Sequence, residues 1–317
     1  MGATALSFVF NFSITSGYSP LFSMSFSSGE AIFSACSGIG NIAVGGSGKT
    51  PLLIKLCLEL ISRGLKVAVV SRGYGGHASA YPLQVAADTA AAICGDEPLL
   101  IRQCLPLSDA VVVVDPVRKR GVEFALSQFA CDIVLCDDGL QHYHLHRDLE
   151  IAVVDGSRGL GNGLCLPAGP LREPASRLKS VDLVVINGEV GLEGIASDAT
   201  YSLKPARFRQ LSTGKVLAVD AWPFSKSVHA LAAIGNPQRF ADTLASLGMS
   251  PILLGFDDHF TMTTSDLNFD DDLPVIITAK DAVKFDTVSL DNVWVLEVEA
   301  ELSTGLVDNI LDAVNLG

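Results

Sequence analysis

A glycine-rich stretch that ends in Lys49 and Thr50 carries the clearest chemistry in this chain of 317 residues. Pro51 follows it at the start of a helical pattern. A glycine turn that opens a helix directs backbone N–H groups and the positive end of the helix at phosphate oxygens. Lys49 is then placed to reach the β- and γ-phosphates of a nucleotide, and the Thr50 hydroxyl to bind Mg²⁺.

The strict phosphate-loop pattern has glycine at position 43, where this chain has Ala43. The rest of the pattern is intact, so we interpret the stretch as a variant P-loop that binds ATP. Its residues are Ala43, Val44, Gly45, Gly46, Ser47, Gly48, Lys49 and Thr50. A tight glycine turn followed by chance by Lys and Thr is the structural alternative.

Two acidic pairs accompany this loop. Asp137 and Asp138 end an apolar run, as in the element that holds the metal and its waters in P-loop enzymes. Asp96 and Glu97 lie in a turn before a helical pattern. Either pair alone could be an ordinary helix cap or turn. Both pairs together with the P-loop favour phosphoryl transfer.

Short β-branched runs alternate with helical patterns around these residues, which predicts βαβ units and a parallel sheet. The predicted strands are residues 67–70, 110–114, 132–136, 151–154 and 183–186, and the predicted helices are residues 51–62 and 117–129. Polar residues directly follow several of the strands, and open α/β sheets bind ligands at the carboxyl ends of their strands. The segment before the P-loop, residues 34–41, is a poor candidate for a strand.

A second α/β section follows the first, with predicted strands at residues 217–219, 231–234, 275–278 and 293–298. The predicted division of the chain is an atypical amino-terminal segment at 1–40, a P-loop nucleotide-binding domain at 41–198, a β-hairpin linker at 199–216 and a second α/β lobe at 217–317. We expect a cleft between the two lobes.

Composition excludes several classes of function. The formal net charge is −13, whereas a nucleic-acid protein needs concentrated Lys and Arg. Seven cysteines without a paired CxxC motif are typical of a reducing compartment, which predicts a cytosolic chain. No apolar run approaches the roughly 20 residues of a spanning helix. The first 48 residues contain no Lys or Arg, and their Ser- and Phe-rich stretches at 3–12 and 20–26 are either membrane-contacting or a disordered or miscalled start.

Seven blocks of sequence, in this order, resemble the tetraacyldisaccharide 4'-kinase family. They are GGSGKTP (45–51), SRGYGG (71–76), GDEPLLI (95–101), DDGLQH (137–142), LPAGPLREP (166–174), AIGNPQRF (233–240) and TAKDAVK (278–284). The resemblance implies a P-loop kinase-like α/β/α sandwich with a largely parallel sheet, joined by a short β linker to a smaller α/β/α lobe. It also implies transfer of the γ-phosphoryl group of ATP to the 4'-hydroxyl of tetraacyldisaccharide 1-phosphate, which gives lipid IVA in lipid A biosynthesis.

The resemblance implies roles for individual residues as well. Asp96 is expected to be the catalytic base, paired with His259, with Lys49 and Asp138 as further catalytic residues. Mg²⁺ is expected to bind Thr50, Glu97 and Asp137. The expected contacts to the anionic acceptor are Arg72, Arg118, Gln141, His142 and Arg172. The family works at the cytoplasmic face of the inner membrane by peripheral contact, and no protein partner is evident.

One departure and several alternatives stand beside this resemblance. The basic, hydrophobic helix that usually precedes the P-loop strand in the family is not recognisable here. A P-loop switch ATPase or GTPase, such as a metallochaperone, and a catalytically impaired nucleotide-binding homologue are the competing functions. His142, His144 and His146 alternate, but no second pair of ligands accompanies them, so we expect solvent or phosphate contact rather than a transition-metal site.

Overall fold

The computed structural model describes residues 23–25, 31–33, 35–188, 194–285 and 290–316. The strands are β1 (Ser23–Ser25), β2 (Ala31–Phe33), β3 (Ala35–Gly40), β4 (Val67–Ser71), β5 (Leu83–Gln84), β6 (Ala110–Val114), β7 (Ile133–Asp137), β8 (Leu149–Asp155), β9 (Leu183–Asn187), β10 (Ala199–Gln210), β11 (Val216–Ala218), β12 (Ser227–Ala232), β13 (Ser250–Gly255), β14 (Val275–Thr278) and β15 (Val293–Leu302). The α-helices are α1 (Lys49–Ser62), α2 (Ala91–Cys94), α3 (Asp96–Cys104), α4 (Arg118–Gln128), α5 (Pro237–Ser246), α6 (Ala279–Ala282) and α7 (Leu306–Ala313).

One long sheet runs through the described residues, with β1 and β2 forming a separate antiparallel pair. Its order is β13-β12-β14-β15-β10-β9-β8-β3-β7-β4-β6-β5, and β11 pairs with β10. Strands β3, β4 and β6–β9 are mutually parallel and form the first half, while β12–β15 form the parallel second half. The two halves join where β10 pairs antiparallel with β15 and parallel with β9. This arrangement confirms the α/β fold expected from the sequence.

Strand β3 corrects the expectation of a poor strand before the P-loop. Ala35–Gly40 is fully buried and pairs on both sides, with β7 and with β8. Its small residues, which lower its strand propensity, fit the space between its neighbours. A Cβ atom on Gly38 would lie 2.6 Å from Cδ of Arg147. Pairing on two sides and burial outweigh propensity here. The strand lies inside the predicted amino-terminal segment 1–40. Of the two Ser- and Phe-rich stretches predicted there, all of 3–12 and residues 20–22 and 26 of 20–26 fall outside the described residues.

Helix α1 fixes the P-loop to the first core. Leu52, Leu56 and Leu60 recur at helical spacing and are buried against the sheet. The carboxyl-terminal helix α7 packs on the same side, since Leu306 and Ile310 belong to the same hydrophobic cluster as α1. The predicted second lobe, residues 217–317, includes α7, and the bounds of that lobe stay a prediction. The β10–β11 pair provides a hairpin at the predicted linker, but β10 is also a full strand of the long sheet.

Most predicted strands of both halves lie within two residues of their predicted bounds, whereas β13 and the edge strand β5 were not predicted. Within the described ranges, the helices do not reach the length and apolarity that crossing a bilayer requires.

Candidate active site

A cavity of about 910 Å³ opens between the two halves at the carboxyl ends of the parallel strands. The first half contributes the P-loop and the residues after its strands, and the second half contributes the turns that follow β12, β13 and β14. Lining residues with a sequence-predicted role are Gly45, Gly46, Ser47, Gly48, Lys49, Thr50, Arg72, Glu97, Arg118, Asp137, Asp138, Gln141, His142, Arg172 and His259. The structure thus brings most of the predicted site residues to one cavity.

The conformation of the P-loop is stabilised by hydrogen bonds that its backbone carbonyls accept. Gly48 caps α1 with φ of 84°, a left-handed conformation that favours glycine. The Asn187 amide donates to the Ser47 carbonyl at 3.0 Å, and the Tyr201 hydroxyl donates to the Gly48 carbonyl at 2.9 Å. With these carbonyls bonded behind the loop, its N–H groups remain directed toward the site of the phosphates. Ala43 and Val44 precede this turn, where the Val44 N–H donates to the Pro170 carbonyl at 2.8 Å.

Lys49 is held by two side chains of the first half. Its Nζ lies 2.5 Å from Asp138 Oδ1 and 2.9 Å from Asn41 Oδ1. Arg172 Nη1 contacts the same carboxylate at 2.9 and 3.0 Å. Burial acts to raise the pKa of Asp138, but the two cations outweigh it and lower the pKa to about 2. Asp138 is therefore an anion that orients both cations beside the cavity.

Asp137 lies in a very different environment from its neighbour. It is 2% exposed, and burial together with the nearby charge of Glu97 raises its pKa to about 6. Ser71 Oγ donates to Oδ2 at 3.2 Å, whereas Oδ1 is buried without a hydrogen-bond partner among the described atoms. An unpaired buried carboxylate oxygen is costly. This oxygen is therefore prepared to accept a cation.

Asp96 and His259 form a pair across the two halves. Asp96 begins α3 directly after Gly95, which separates α3 from α2, and His259 lies in the turn between β13 and β14. His259 Nδ1 lies 3.1 Å from Asp96 Oδ2 and 3.2 Å from Oδ1. Burial acts to raise the pKa of Asp96, but the hydrogen bond to His259 and the Lys280 ammonium outweigh it and lower that pKa. The hydrogen bond to Asp96 in turn raises the pKa of His259.

The second half also contacts the P-loop itself. Gly235, in the turn after β12, lies so close to the loop that a Cβ atom there would be 2.2 Å from the Gly46 nitrogen. Arg239, on helix α5, donates through Nη1 to Asp155 Oδ2 at 3.1 Å. Asn236 caps this helix by accepting from the Arg239 N–H. These contacts close the cavity over the phosphate cradle.

Among the predicted acceptor-binding residues, Gln141 and Arg118 also make hydrogen bonds to the protein around the cavity. Arg72 and His142 line the cavity, and burial followed by the charges of Arg118 and Arg72 lowers the pKa of His142. Gln141 donates to the Asn41 carbonyl at 3.1 Å and to Glu173 at 2.6 Å. Arg118 is 2% exposed, and its two Nη atoms donate to the carbonyls of Asp115 and Asp137. Arg118 thus supports the acidic strand end as well as lining the cavity.

Several residues in or beside the cavity had no predicted role. Asn187 and Tyr201 donate to P-loop carbonyls from β9 and β10, and their distance along the sequence hides this. Asn41 lies just before the loop and accepts from Lys49. Gly235 and Arg239 lie in the block 233–240 and Lys280 lies in the block 278–284, but no spacing rule connects them with a phosphate loop so far away in the sequence.

No three His, Cys, Asp or Glu side chains in the described part of the chain are grouped to hold a metal ion, and the expectation for His142, His144 and His146 stays a prediction. His146 instead lies 3.9 Å from Asp148.

The fold and the cradle define an α/β P-loop protein whose cavity is lined by carboxylates and by a larger number of Lys and Arg side chains, and comparison with known proteins narrows this class. The family model described as tetraacyldisaccharide-1-P 4'-kinase matches residues 29–315. The tetraacyldisaccharide 4'-kinase of Hahella chejuensis is 46% identical over 272 residues, which cover 86% of this chain and 79% of the relative. That of Stutzerimonas stutzeri is 47% identical over 271 residues, which cover 85% and 79%.

A solved structure agrees with these relatives. LpxK from Aquifex aeolicus, crystallised as an "apo" form in complex with ATP, superposes with a TM-score of 0.70 at 26% identity and covers 88% of both chains. The chain belongs to the tetraacyldisaccharide-1-phosphate 4'-kinase family and is a phosphotransferase. The resemblance seen in the sequence is confirmed.

Proposed function

We propose that this chain transfers the γ-phosphoryl group of ATP to the 4'-hydroxyl of tetraacyldisaccharide 1-phosphate and so forms lipid IVA. The observation that carries the proposal is the Asp96–His259 pair, formed beside a cavity that also holds a P-loop. Phosphoryl transfer depends on in-line positioning and charge neutralisation more than on covalent chemistry, and both halves of the cavity supply these.

Asp96 is the proposed general base. Its lowered pKa keeps it a carboxylate at neutral pH, so it accepts a hydrogen bond from the acceptor hydroxyl and then its proton as the phosphoryl group transfers. His259 orients this carboxylate by donating to it. Since the two residues come from different halves of the protein, the pair depends on closure of the cavity.

Lys49 and the P-loop are proposed to hold the phosphates of ATP. In the structure Lys49 is bonded to Asp138 and Asn41, so it reaches the β- and γ-phosphates by exchanging one of these partners. Asp138 stays ionised and keeps Arg172 beside the cavity. The backbone N–H groups of residues 45–50 supply the remaining contacts to phosphate oxygens.

The donor set fits Mg²⁺, which prefers oxygen ligands and is commonly bound by one or two carboxylates with phosphate oxygens. The unpaired Oδ1 of Asp137 and its raised pKa are the features that a cation would relieve. Thr50, Glu97 and Asp137 would hold the ion, which when bound neutralises charge on the transferring phosphoryl group.

The acceptor is proposed to lie against Arg72, Arg118, Gln141, His142 and Arg172, as the family resemblance implied. Cations and amide donors suit its anionic phosphate. Peripheral contact with the cytoplasmic face of the inner membrane, where such an acylated substrate resides, is part of the same proposal. The switch ATPase and the impaired homologue find no support in the family comparison.

The test is transfer of labelled γ-phosphate from ATP and Mg²⁺ to detergent-dispersed tetraacyldisaccharide 1-phosphate. We expect product with the wild type and a loss of about 10²- to 10⁴-fold in kcat for Asp96→Asn, which removes the base. Asp88→Asn, the same change in an exposed turn, is the matched control and should retain activity. A folded, ATP-binding wild type that gives no product would refute the proposal.

A further inference from the structure

Lys280 occupies the centre of a charged cluster at the junction of the two halves. Its Nζ lies 3.0 Å from Glu97 Oε1, 3.0 Å from Asp258 Oδ1 and 3.3 Å from His259 Nε2. An ammonium has three N–H donors, so these three acceptors use all of them. The side chain is 14% exposed and lines the cavity. Beyond its effect on the pKa of Asp96, none of the proposed roles uses it.

The backbone that carries Lys280 is fixed by a buried polar anchor. Lys280 is in α6, which starts directly after β14, and Thr278 caps this turn by accepting from the Asp281 N–H. Asp281 is fully buried and accepts from the Thr278 hydroxyl at 2.7 Å and from the Ala233 N–H at 3.1 Å. A side chain that projects from such an anchored turn loses little further freedom when it binds its partners.

His259 lies in the turn between β13 and β14. Its φ is 65°, in the left-handed region that is uncommon for residues other than glycine. Its ring is held from three directions, by Asp96 at Nδ1, by Lys280 at Nε2 and by Tyr74, whose ring centroid lies 4.7 Å away. Tyr74 is 63% exposed, so the two polar contacts decide where the ring lies.

We propose that Lys280 is a positioning residue for phosphoryl transfer, which acts on the base through His259 and on the metal ligand Glu97. The inference rests on the proposed function and deepens it. In neutral His259, the Lys280 ammonium donates to Nε2 only when Nε2 carries no proton, and Nδ1 then donates its N–H to Asp96. Lys280 and Asp96 together thereby set the position and the tautomer of the neutral ring.

The second action of Lys280 concerns Glu97. The carboxylate proposed to bind Mg²⁺ is paired with Lys280 in the structure, so the ammonium competes with the cation for that oxygen. The same ammonium offsets part of the negative charge of three carboxylates, since Asp96, Glu97 and Asp258 all lie within 4.0 Å of Lys280 Nζ. Removal of the ammonium therefore has two opposite effects, a misplaced His259 and a Glu97 that is more available to a cation.

The test uses the full-length enzyme with Lys280→Met, His259→Ala and the double variant. We expect Lys280→Met to lower kcat by about 10²-fold, as misplacement of a catalytic group does. In the His259→Ala background the same change should lower kcat by less than about threefold, because residues that act through one another are not additive. The affinity for Mn²⁺, measured by electron paramagnetic resonance with a non-hydrolysable ATP analogue, should rise roughly fivefold.

Lys284 provides the matched control for charge. Its Nζ lies at the same distance from Asp96 Oδ2 as that of Lys280, 4.0 Å, but it donates to Asp281 and to the Phe260 carbonyl. If only the positive charge beside Asp96 mattered, Lys284→Gln, which removes the charge but keeps a donor for Asp281, and Lys280→Met would lower kcat equally. We expect a clearly smaller loss for Lys284→Gln.

Two results would overturn the proposal. One is a full, multiplicative loss when Lys280→Met is added to His259→Ala, and the other is weaker Mn²⁺ binding by Lys280→Met. Lys280→Arg, which keeps the charge and displaces the donor, replaces Lys280→Met in the cycle if the latter does not fold. A wild type that binds Mn²⁺ but transfers no phosphate would instead refute the proposed function, and the two failures are thus distinguishable.

Discussion

Asp137→Asn tests whether the protein sacrifices stability to keep a metal-binding carboxylate buried. The pKa of Asp137 is raised from 3.8 to about 6, which is about two units. Each unit corresponds to about 1.4 kcal/mol, so the ionised carboxylate lowers the free energy of unfolding by about 3 kcal/mol. Asparagine has nearly the same shape and no charge. It weakens the bond from Ser71, at a cost of about 1 kcal/mol, which leaves a net stabilisation of about 2 kcal/mol.

The size of this effect changes with pH in a defined window. Below pH 3.8 the carboxyl group is protonated in both the folded and the unfolded protein, and it costs nothing. Between pH 3.8 and about 6 the folded protein binds more protons, so its stability falls as the pH rises. Above pH 6 the full penalty is present. The advantage of Asp137→Asn should therefore be small at pH 4 and complete at pH 7.5.

The assay is urea unfolding of the nucleotide-free protein in EDTA, followed by far-ultraviolet circular dichroism. Tryptophan fluorescence is unsuitable, because Trp222 and Trp294 both follow the linker, whereas Asp137 lies in the first half. Asp281→Asn is the matched control. Asp281 is equally buried but is paired with Lys284 at 2.8 Å, so the same substitution there should destabilise the protein.

Asp137→Asn should also lose phosphoryl transfer. With saturating Mg²⁺ and ATP, the wild type should become the more stable of the two, because only it gains the free energy of metal binding. This account of the site would be refuted if the Asp137→Asn variant were less stable than the wild type at pH 7.5 in EDTA. It would also be refuted if the difference in the free energy of unfolding between the two proteins were the same at pH 4 and pH 7.5.

Two further predictions concern the P-loop. Gly235→Ala places a methyl group 2.2 Å from the Gly46 nitrogen, where ordinary contacts lie at 3.4–4 Å, so the turn and the loop must separate by more than 1 Å. Because a shift of this size misplaces the phosphates, we expect kcat/KM for ATP to fall by about 10²-fold with little change in thermal unfolding, and unchanged ATP kinetics would contradict the proposed closure. Tyr201→Phe removes the donor to the Gly48 carbonyl and should cost about 1 kcal/mol in urea unfolding and weaken ATP binding in calorimetry. An unaltered ATP affinity would show that Tyr201 does not shape the loop.

The sequence alone determined the fold class and much of the site. Continuous apolar runs of β-branched residues define β4, β6, β7, β8 and β9, because strands covered on both faces need no polar alternation. The P-loop and the acids at 137–138 follow from local spacing, since one turn or one strand end places them. The Asp96–His259 contact was expected only from the family resemblance, because nothing local links residues 163 positions apart.

Tertiary structure decided what local propensity and spacing do not encode. Strand β3 forms despite its small residues Ala35, Ser37 and Gly38 because both neighbouring strands pair with it and bury it. Helix α7 packs on α1 at the other end of the chain because their apolar faces share one core. The different environments of Asp137 and Asp138 arise in the same way. The two acids are adjacent in sequence, but one is buried beside Glu97 and the other is paired with Lys49 and Arg172, and burial and charge in three dimensions set their pKa values in opposite directions.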